Sequence, residues 1–395
     1  MSRTRSITLL SVGHACVDVY QGAVASLVPF FVAERAYGYA AVSGIVLAAS
    51  LLSSVAQPLF GALTDRWAMP WLLPVSTVLA GLGIALSGIS GSYALTLAFV
   101  AVAGIGVAAY HPEAARVARA VSGGSHTAMG WFSLGGNLGL ATAPVLVAAV
   151  VAVGGLRSSP LLVVPALAGS VLCLPVLRAL ADPVLTTPTA ASPRAGDDKA
   201  SFLKLSLAVV FRSVVFVGLS AFIALHTQQR TTGGTTAGTA ALFLLYLGGA
   251  VGTVVGSRLA NRWDRIAVVR WSYLITVGAV AGVVFVPGPA LYLCVALASA
   301  GLYLPFSLQI TLAQDYLPSR VGTASGVILG LTVSIGGITS PLIGTLADHT
   351  SLRTALTPLI ALPALGWLVI RTLPEPAAPD TATGPEVAPG RSSAG

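Results

Sequence analysis

Apolar runs of about twenty residues recur along the whole chain, and a helix of that length spans a hydrocarbon core. Twelve are counted: residues 7–31, 42–63, 71–89, 94–117, 128–153, 160–180, 202–225, 238–257, 267–286, 290–313, 323–346 and 354–373. In lipid a spanning segment must satisfy its own backbone hydrogen bonds, so the runs predict an all-α integral membrane protein. Only 9% of the 395 residues are charged, against about 25% in soluble domains. The 43 glycines suit close helix packing, as in the Gly252-xxx-Gly256 and Gly326-xxx-Gly330 pairs, although so Gly-rich a chain yields some such pairs by chance.

Charge sets the orientation. With the N-terminus inside, only Arg35, Arg157, Arg230 and Arg353 of the 21 basic residues fall outside; Arg212 lies within a segment. The sixteen others are cytoplasmic, which predicts a multi-pass protein of the inner (plasma) membrane with both termini inside. That bias accounts for the net charge of +8 without a nucleic-acid partner. Cys16, Cys173 and Cys294 lie in apolar runs and read as packing residues. Arg3 and Arg5 ahead of Ala-Val-Ala look like a cleavable signal, but His14 and Asp18 inside its apolar core argue against cleavage.

The chain divides in two. Residues 1–180 hold six segments, 181–201 read as a polar cytoplasmic linker, 202–373 hold six more, and 374–395 as a disordered tail. Gly61-Ala-Leu-Thr-Asp65-Arg66-Trp67 after segment two returns 196 residues later as Ser257-Arg-Leu-Ala-Asn261-Arg262-Trp263. Asn137-Leu-Gly139 returns at an offset of 197 as Ser334-Ile-Gly336. Two matches at nearly one offset predict a duplicated six-helix unit. A third copy, Gly344-Thr-Leu-Ala-Asp348, ends segment eleven on the other face, as a nested inverted repeat would have it.

Polar residues inside the runs are the candidate site. His14, Asp18 and Gln21 are spaced to share one helix face. Asp18 is either a proton carrier or a structural acid, and His14 either shares its proton or packs. Arg212 either grips an anionic group through two parallel hydrogen bonds or pairs with a buried acid such as Asp18. Pro112 should bend segment four, with His111, Glu113 and Arg116 around the break; Glu113 and Arg116 are also spaced to pair with each other. Gln57, Asn137 and Gln309 either line a cavity or bond between helices. No nucleotide loop, metal-ligand spacing or hydrolase triad is present outside the membrane, so no enzyme, cofactor or metal is expected.

Twelve segments as six plus six, with Gly61, Asp65 and Arg66 after segment two, resemble the major facilitator superfamily over residues 7–373. The loop departs from the usual pattern after Arg66, and the second copy has Asn261 in place of the acid. The stretches GHACVDVYQGAVASLVPFF, YHPEAARVARAVSGGSH and FSLGGNLGLATAPVL are similar to the fosmidomycin-resistance branch of proton-linked drug exporters. The resemblance implies the major facilitator fold: twelve transmembrane helices as two six-helix bundles with internal pseudo-symmetry, working as a monomer by alternating access. The expected activity is proton-coupled antiport exporting a small, anionic, drug-like molecule. Uptake of an organic anion or sugar by proton symport is the alternative. Expected partners are the solute, protons and the lipid bilayer. Expected roles are proton coupling for Asp18, His14 and Glu113, and solute binding for Arg212, Gln21, His111, Arg116, Asn137 and Gln309. Gating is expected of Gly61, Asp65, Arg66, Asn261 and Arg262.

Overall fold

The computed structural model describes residues 3–122, 126–180, 196–260 and 262–376. The described residues fold into fourteen α-helices with short 3-10 turns and no strand. The first six are α1 (Arg3–Arg35), α2 (Tyr39–Arg66), α3 (Leu72–Ile89), α4 (Tyr93–Ser122), α5 (His126–Gly154) and α6 (Val164–Leu180). Then follow α7 (Lys199–Arg230), α8 (Gly234–Ala260), α9 (Arg265–Phe285), α10 (Ala290–Tyr303) and α11 (Phe306–Tyr316). The last three are α12 (Val321–His349), α13 (Leu352–Leu356) and α14 (Ala361–Ile370).

Among the described residues, eleven helical stretches are long and apolar enough to cross a membrane, not the twelve counted in the sequence. The difference lies at α5 and α6, which run together through the 3-10 turn Gly155–Val163 as one 51-residue stretch, Ala128–Arg178. That is more than twice the length one crossing needs. Gly155, at φ +68, starts the turn, and the Glu34 carboxylate at the end of α1 accepts the Leu156 N–H at 3.0 Å. Segment ten is likewise split by Pro305 into α10 and α11. Proline removes one backbone donor and clashes with the preceding turn. Pro112 sits at a similar place in α4, yet that helix runs on.

Packing follows the repeat. Gly139 of α5 and Gly336 of α12, 197 residues apart, both press on the partner helix backbone. A Cβ on Gly139 would lie 2.1 Å from the Ala15 carbonyl oxygen of α1, and one on Gly336 would lie 2.5 Å from the Ser213 carbonyl oxygen of α7. Arg35, ending α1, donates to the Gly88 and Ser90 carbonyls that end α3. Arg230, ending α7, does the same to Phe285 at the end of α9. Each arginine satisfies carbonyls that a helix end leaves without partners. The helices before residue 180 pack mainly among themselves, as do those after 199; contact between the sets is concentrated at α2 with α12 and α5 with α8. Gly252 and Gly256 pack on the α10–α11 break, whereas Gly326 and Gly330 have nothing within 4 Å.

Two faces are distinguished below. The terminal face holds the start of α1 and of α7, where Asp198 caps α7 by accepting the Ser201 N–H at 3.0 Å. These bonds to Ser201 hold the exposed Asp198 carboxyl below the usual carboxylate range. The distal face holds the α1–α2 turn. Asn261 and most of the linker and tail lie outside the described residues.

Candidate functional site

The site starts with α1. His14 and Asp18 are one turn apart, and the His14 Nε2 stands 3.3 Å from Asp18 Oδ2. His111 arrives from α4, its Nε2 3.1 Å from Asp18 Oδ1. The two rings are edge-on with centroids 5.3 Å apart. One carboxylate is therefore held between two imidazoles.

Both rings are anchored from behind. His14 Nδ1 donates to the Phe132 carbonyl of α5 at 2.9 Å, and Phe132 stacks on the ring at 4.3 Å. His111 Nδ1 donates to the Val107 carbonyl, one turn back in α4, at 2.7 Å. A carbonyl oxygen only accepts, so each Nδ1 carries a hydrogen. A neutral ring with Nδ1–H has a bare lone pair on Nε2. Both lone pairs would then face carboxylate oxygens, which also only accept. His14 Nε2 and Asp18 Oδ1 are indeed buried without a hydrogen-bond partner. The arrangement is repulsive until a cation fills the gap, and it has one gap on each side of Asp18. Two imidazoles and a carboxylate, with ligating atoms all within 4.8 Å, also have the spacing of a metal-ligand set, which sequence spacing alone did not suggest.

Gly136 of α5 makes room for this. A Cβ there would lie 2.5 Å from Asp18 Oδ2 and 2.7 Å from His14 Nε2. Gly136 and Phe132 were not singled out from the sequence; the only signal was the FSLGGNLGL run. A cavity of about 820 Å³ lies between α1 and α5 from Arg3 to Leu138. Its lining includes Ala15 and Gly135, the sequence neighbours of His14 and Gly136.

The other candidates fall elsewhere. Glu113 is fully buried and tied to Arg116, whose Nε donates to its Oε2 at 2.8 Å while the second guanidinium nitrogen meets Oε1. Gln21 is exposed on α1, and Asn137 is half-buried beside Gly136. Arg212 is buried in α7 and bridges the second set of helices. It donates to the Leu302 carbonyl at the α10–α11 break at 3.0 Å and to Thr332 Oγ1 of α12 at 3.1 Å, with the Phe306 ring 5.4 Å away. The ion pair with Asp18 weighed from the sequence does not form, because the partners of both groups are taken from their own halves. Among the described residues Arg212 has no carboxylate partner, and its Nε is unfilled. Beside it a cavity of about 10 Å³, also lined by Tyr273 and Thr276, has room for about one water. Gln309 is buried; its amide nitrogen donates to Tyr273 Oη at 3.0 Å and its Oε1 is unpartnered.

At the gating positions, Arg66 and Arg262 are exposed on the terminal face and Gly61 is half-buried. Nothing is described of the Asp65 side chain or of Asn261.

Comparison with known proteins covers nearly the whole chain. The family described as Major Facilitator Superfamily matches residues 10–341. The chain is 28% identical over 371 residues to the fosmidomycin resistance protein of Escherichia coli (strain K12), covering 91% of each. It is 26% identical over 378 residues to an uncharacterized MFS-type transporter, YfnC, of Bacillus subtilis (strain 168), covering 92% of this chain and 91% of that one. Among solved structures, a bacterial homolog of the human lysosomal transporter Spinster superposes with a TM-score of 0.77 at 16% identity, covering 94% of this chain and 97% of that one. The E. coli fucose:proton symporter gives a TM-score of 0.62 at 17% identity, covering 94% and 99%.

Proposed function

Because the chain belongs to the major facilitator superfamily, a family of membrane transporters and not of enzymes, we propose that it moves a small organic solute by secondary active transport coupled to protons at His14, Asp18 and His111. One observation carries the coupling. Two imidazoles, each with its Nδ1–H spent on a backbone carbonyl, aim Nε2 at one carboxylate with no hydrogen bond between. Protons fill those gaps. Loss of a proton restores the repulsion, so occupancy of the cluster biases its local geometry. His111 moves from the solute-binding set to the coupling set. Glu113, already paired with Arg116, is the second acid to test.

The remaining assignments extend this reading. Arg212, with Gln309 nearby in the second half and Gln21 and Asn137 in the first, supplies contacts for an anionic solute. Gly61, Asp65, Arg66, Asn261 and Arg262 form the gate at the terminal face, which is cytoplasmic. The 51-residue stretch crosses twice, giving twelve crossings as two six-helix bundles, 1–180 and 202–373, in the plasma membrane.

The geometry supports symport best. The proton-holding groups and Arg212 sit in different halves with separate partners. Solute and proton can therefore be aboard together, whereas the simplest antiport has both compete for one group. A fucose:proton symporter shares the fold. Export by antiport is the second reading, carried by the whole-length likeness to a fosmidomycin resistance protein. Vesicles of known orientation, given organic acids, sugars and fosmidomycin in turn with a pH-sensitive dye, separate the two. In symport the lumen acidifies as solute enters. In antiport proton and solute move oppositely. Solute flux without proton movement would overturn the coupling altogether.

A further inference from the structure

α2 and α12 lie side by side and antiparallel, one from each half. Both end on the same pattern, Gly61-Ala-Leu-Thr-Asp65 and Gly344-Thr-Leu-Ala-Asp348. At the distal face the second copy is engaged. Asp348 accepts the Tyr39 N–H on Oδ1 at 2.7 Å and the Ala40 N–H on Oδ2 at 2.8 Å. These are the first amides of α2, which have no acceptor within the helix, and a carboxylate also suits the positive end of the helix dipole. Gln229 of α7 adds a hydrogen bond to the Tyr39 hydroxyl at 2.9 Å.

Below this contact α12 carries a row of glycines, 326, 330, 337 and 344, whose spacing keeps them on one face. The distal pair is pressed onto α2. A Cβ on Gly344 would lie 2.5 Å from the Tyr39 carbonyl oxygen, and one on Gly337 would lie 2.5 Å from Ser50 Cβ. The pair toward the terminal face, Gly326 and Gly330, has nothing within 4 Å. Gly61 at the same end of α2 finds only Pro112 of α4, 4.0 Å away. The seam is closed at one end and open at the other.

We propose that Asp348 is a latch that holds the distal end of the transporter shut, and that Asp65 is its mirror image, capping the start of α12 when the terminal end shuts instead. Each aspartate ends one helix of the pair and faces the beginning of the other. Rocking that closes Gly326 and Gly330 onto the Gly61 end of α2 pulls Asp348 off Tyr39 and Ala40. The two latches therefore exchange, and their balance sets which side is open. This rests on the transporter reading but not on proton coupling.

The test reads conformation and needs no solute. Spin labels go on Gly91→Cys and Thr232→Cys, exposed distal positions in opposite halves, with Cys16, Cys173 and Cys294 replaced by Ser, in lipid nanodiscs. Distances come from pulsed electron resonance. Removing a helix-capping acceptor shifts an equilibrium roughly five-fold, so Asp348→Ala should raise the ratio of long to short distances by about that factor. Asp348→Asn keeps one acceptor oxygen and should shift it less in the same direction; it carries the test if the alanine variant does not fold. Adding Asp65→Ala should bring the ratio back toward the parent. Unchanged distances in the Asp348 variants, or a double variant that shifts further than Asp348→Ala alone, would overturn the latch.

Discussion

Replacing Gly136 by alanine should uncouple the transporter without unfolding it. The new methyl would sit 2.5 Å from Asp18 Oδ2 and 2.6 Å from His14 Cε1, well inside contact distance. Neither neighbour yields freely: His14 is stacked on Phe132 and bonded to its carbonyl, and Asp18 is held by His111. Overpacking of this kind costs about 1–3 kcal/mol. Alanine returns about 1 kcal/mol of helix propensity in the interior of α5. The net loss of stability is therefore roughly 0–2 kcal/mol by the same two figures, small enough for the protein to fold. The strain falls on the His14–Asp18 pair, so accumulation driven by a pH gradient should drop by roughly 5- to 150-fold, the equivalent of the overpacking cost. Gly130→Ala is the internal control. It makes the same change in the same helix where nothing lies within 4 Å. Both variants would be purified, their melting temperatures compared, and uptake followed in liposomes with and without a pH gradient. Gly130→Ala should match or exceed the parent in both assays. If Gly136→Ala accumulates solute as well as Gly130→Ala does, the cluster is not where protons couple.

Two further outcomes follow from the same geometry. Asp18→Asn should abolish gradient-driven accumulation and leave counterflow exchange intact; if accumulation survives, Glu113→Gln is the next variant. Arg212→Lys should keep the fold but lose one of the two bonds to Leu302 and Thr332, because an ammonium lacks the planar fork. Binding of anionic solutes, measured by calorimetry, should weaken about ten-fold, the scale of one charged hydrogen bond, while neutral solutes are unaffected; equal effects on both would make Arg212 a brace only.

What the sequence revealed was mostly local. Helical spacing placed His14 beside Asp18 and predicted the Glu113–Arg116 pair, and both are found. The duplicated Gly139 and Gly336 occupy equivalent contacts. What stayed hidden depends on how helices meet. Nothing in the spacing of α4 says that His111 turns toward α1, since its partner is 93 positions away in sequence. Gly136 looks like any other glycine until α1 is laid against it. Arg212 was expected to find an acid; it found a carbonyl left at the Pro305 break, a partner with no side-chain signature. The segment count differed because a glycine with positive φ and a 3-10 turn join α5 to α6 without interrupting the apolar pattern.

The most direct test of proton holding is nitrogen-15 NMR of the histidine rings in the purified protein, which distinguishes imidazolium from each neutral tautomer. The five histidines are assigned by replacing His14 and His111 singly with Gln. Both rings should carry hydrogen on Nδ1 throughout, at least one should change state between about pH 5 and about pH 9, the range in which His ordinarily acts as a switch, and Asp18→Asn should alter that titration. Rings that keep one neutral state across the whole range, as they would around a bound metal ion, or that carry their hydrogen on Nε2, would contradict a proton-coupled cluster.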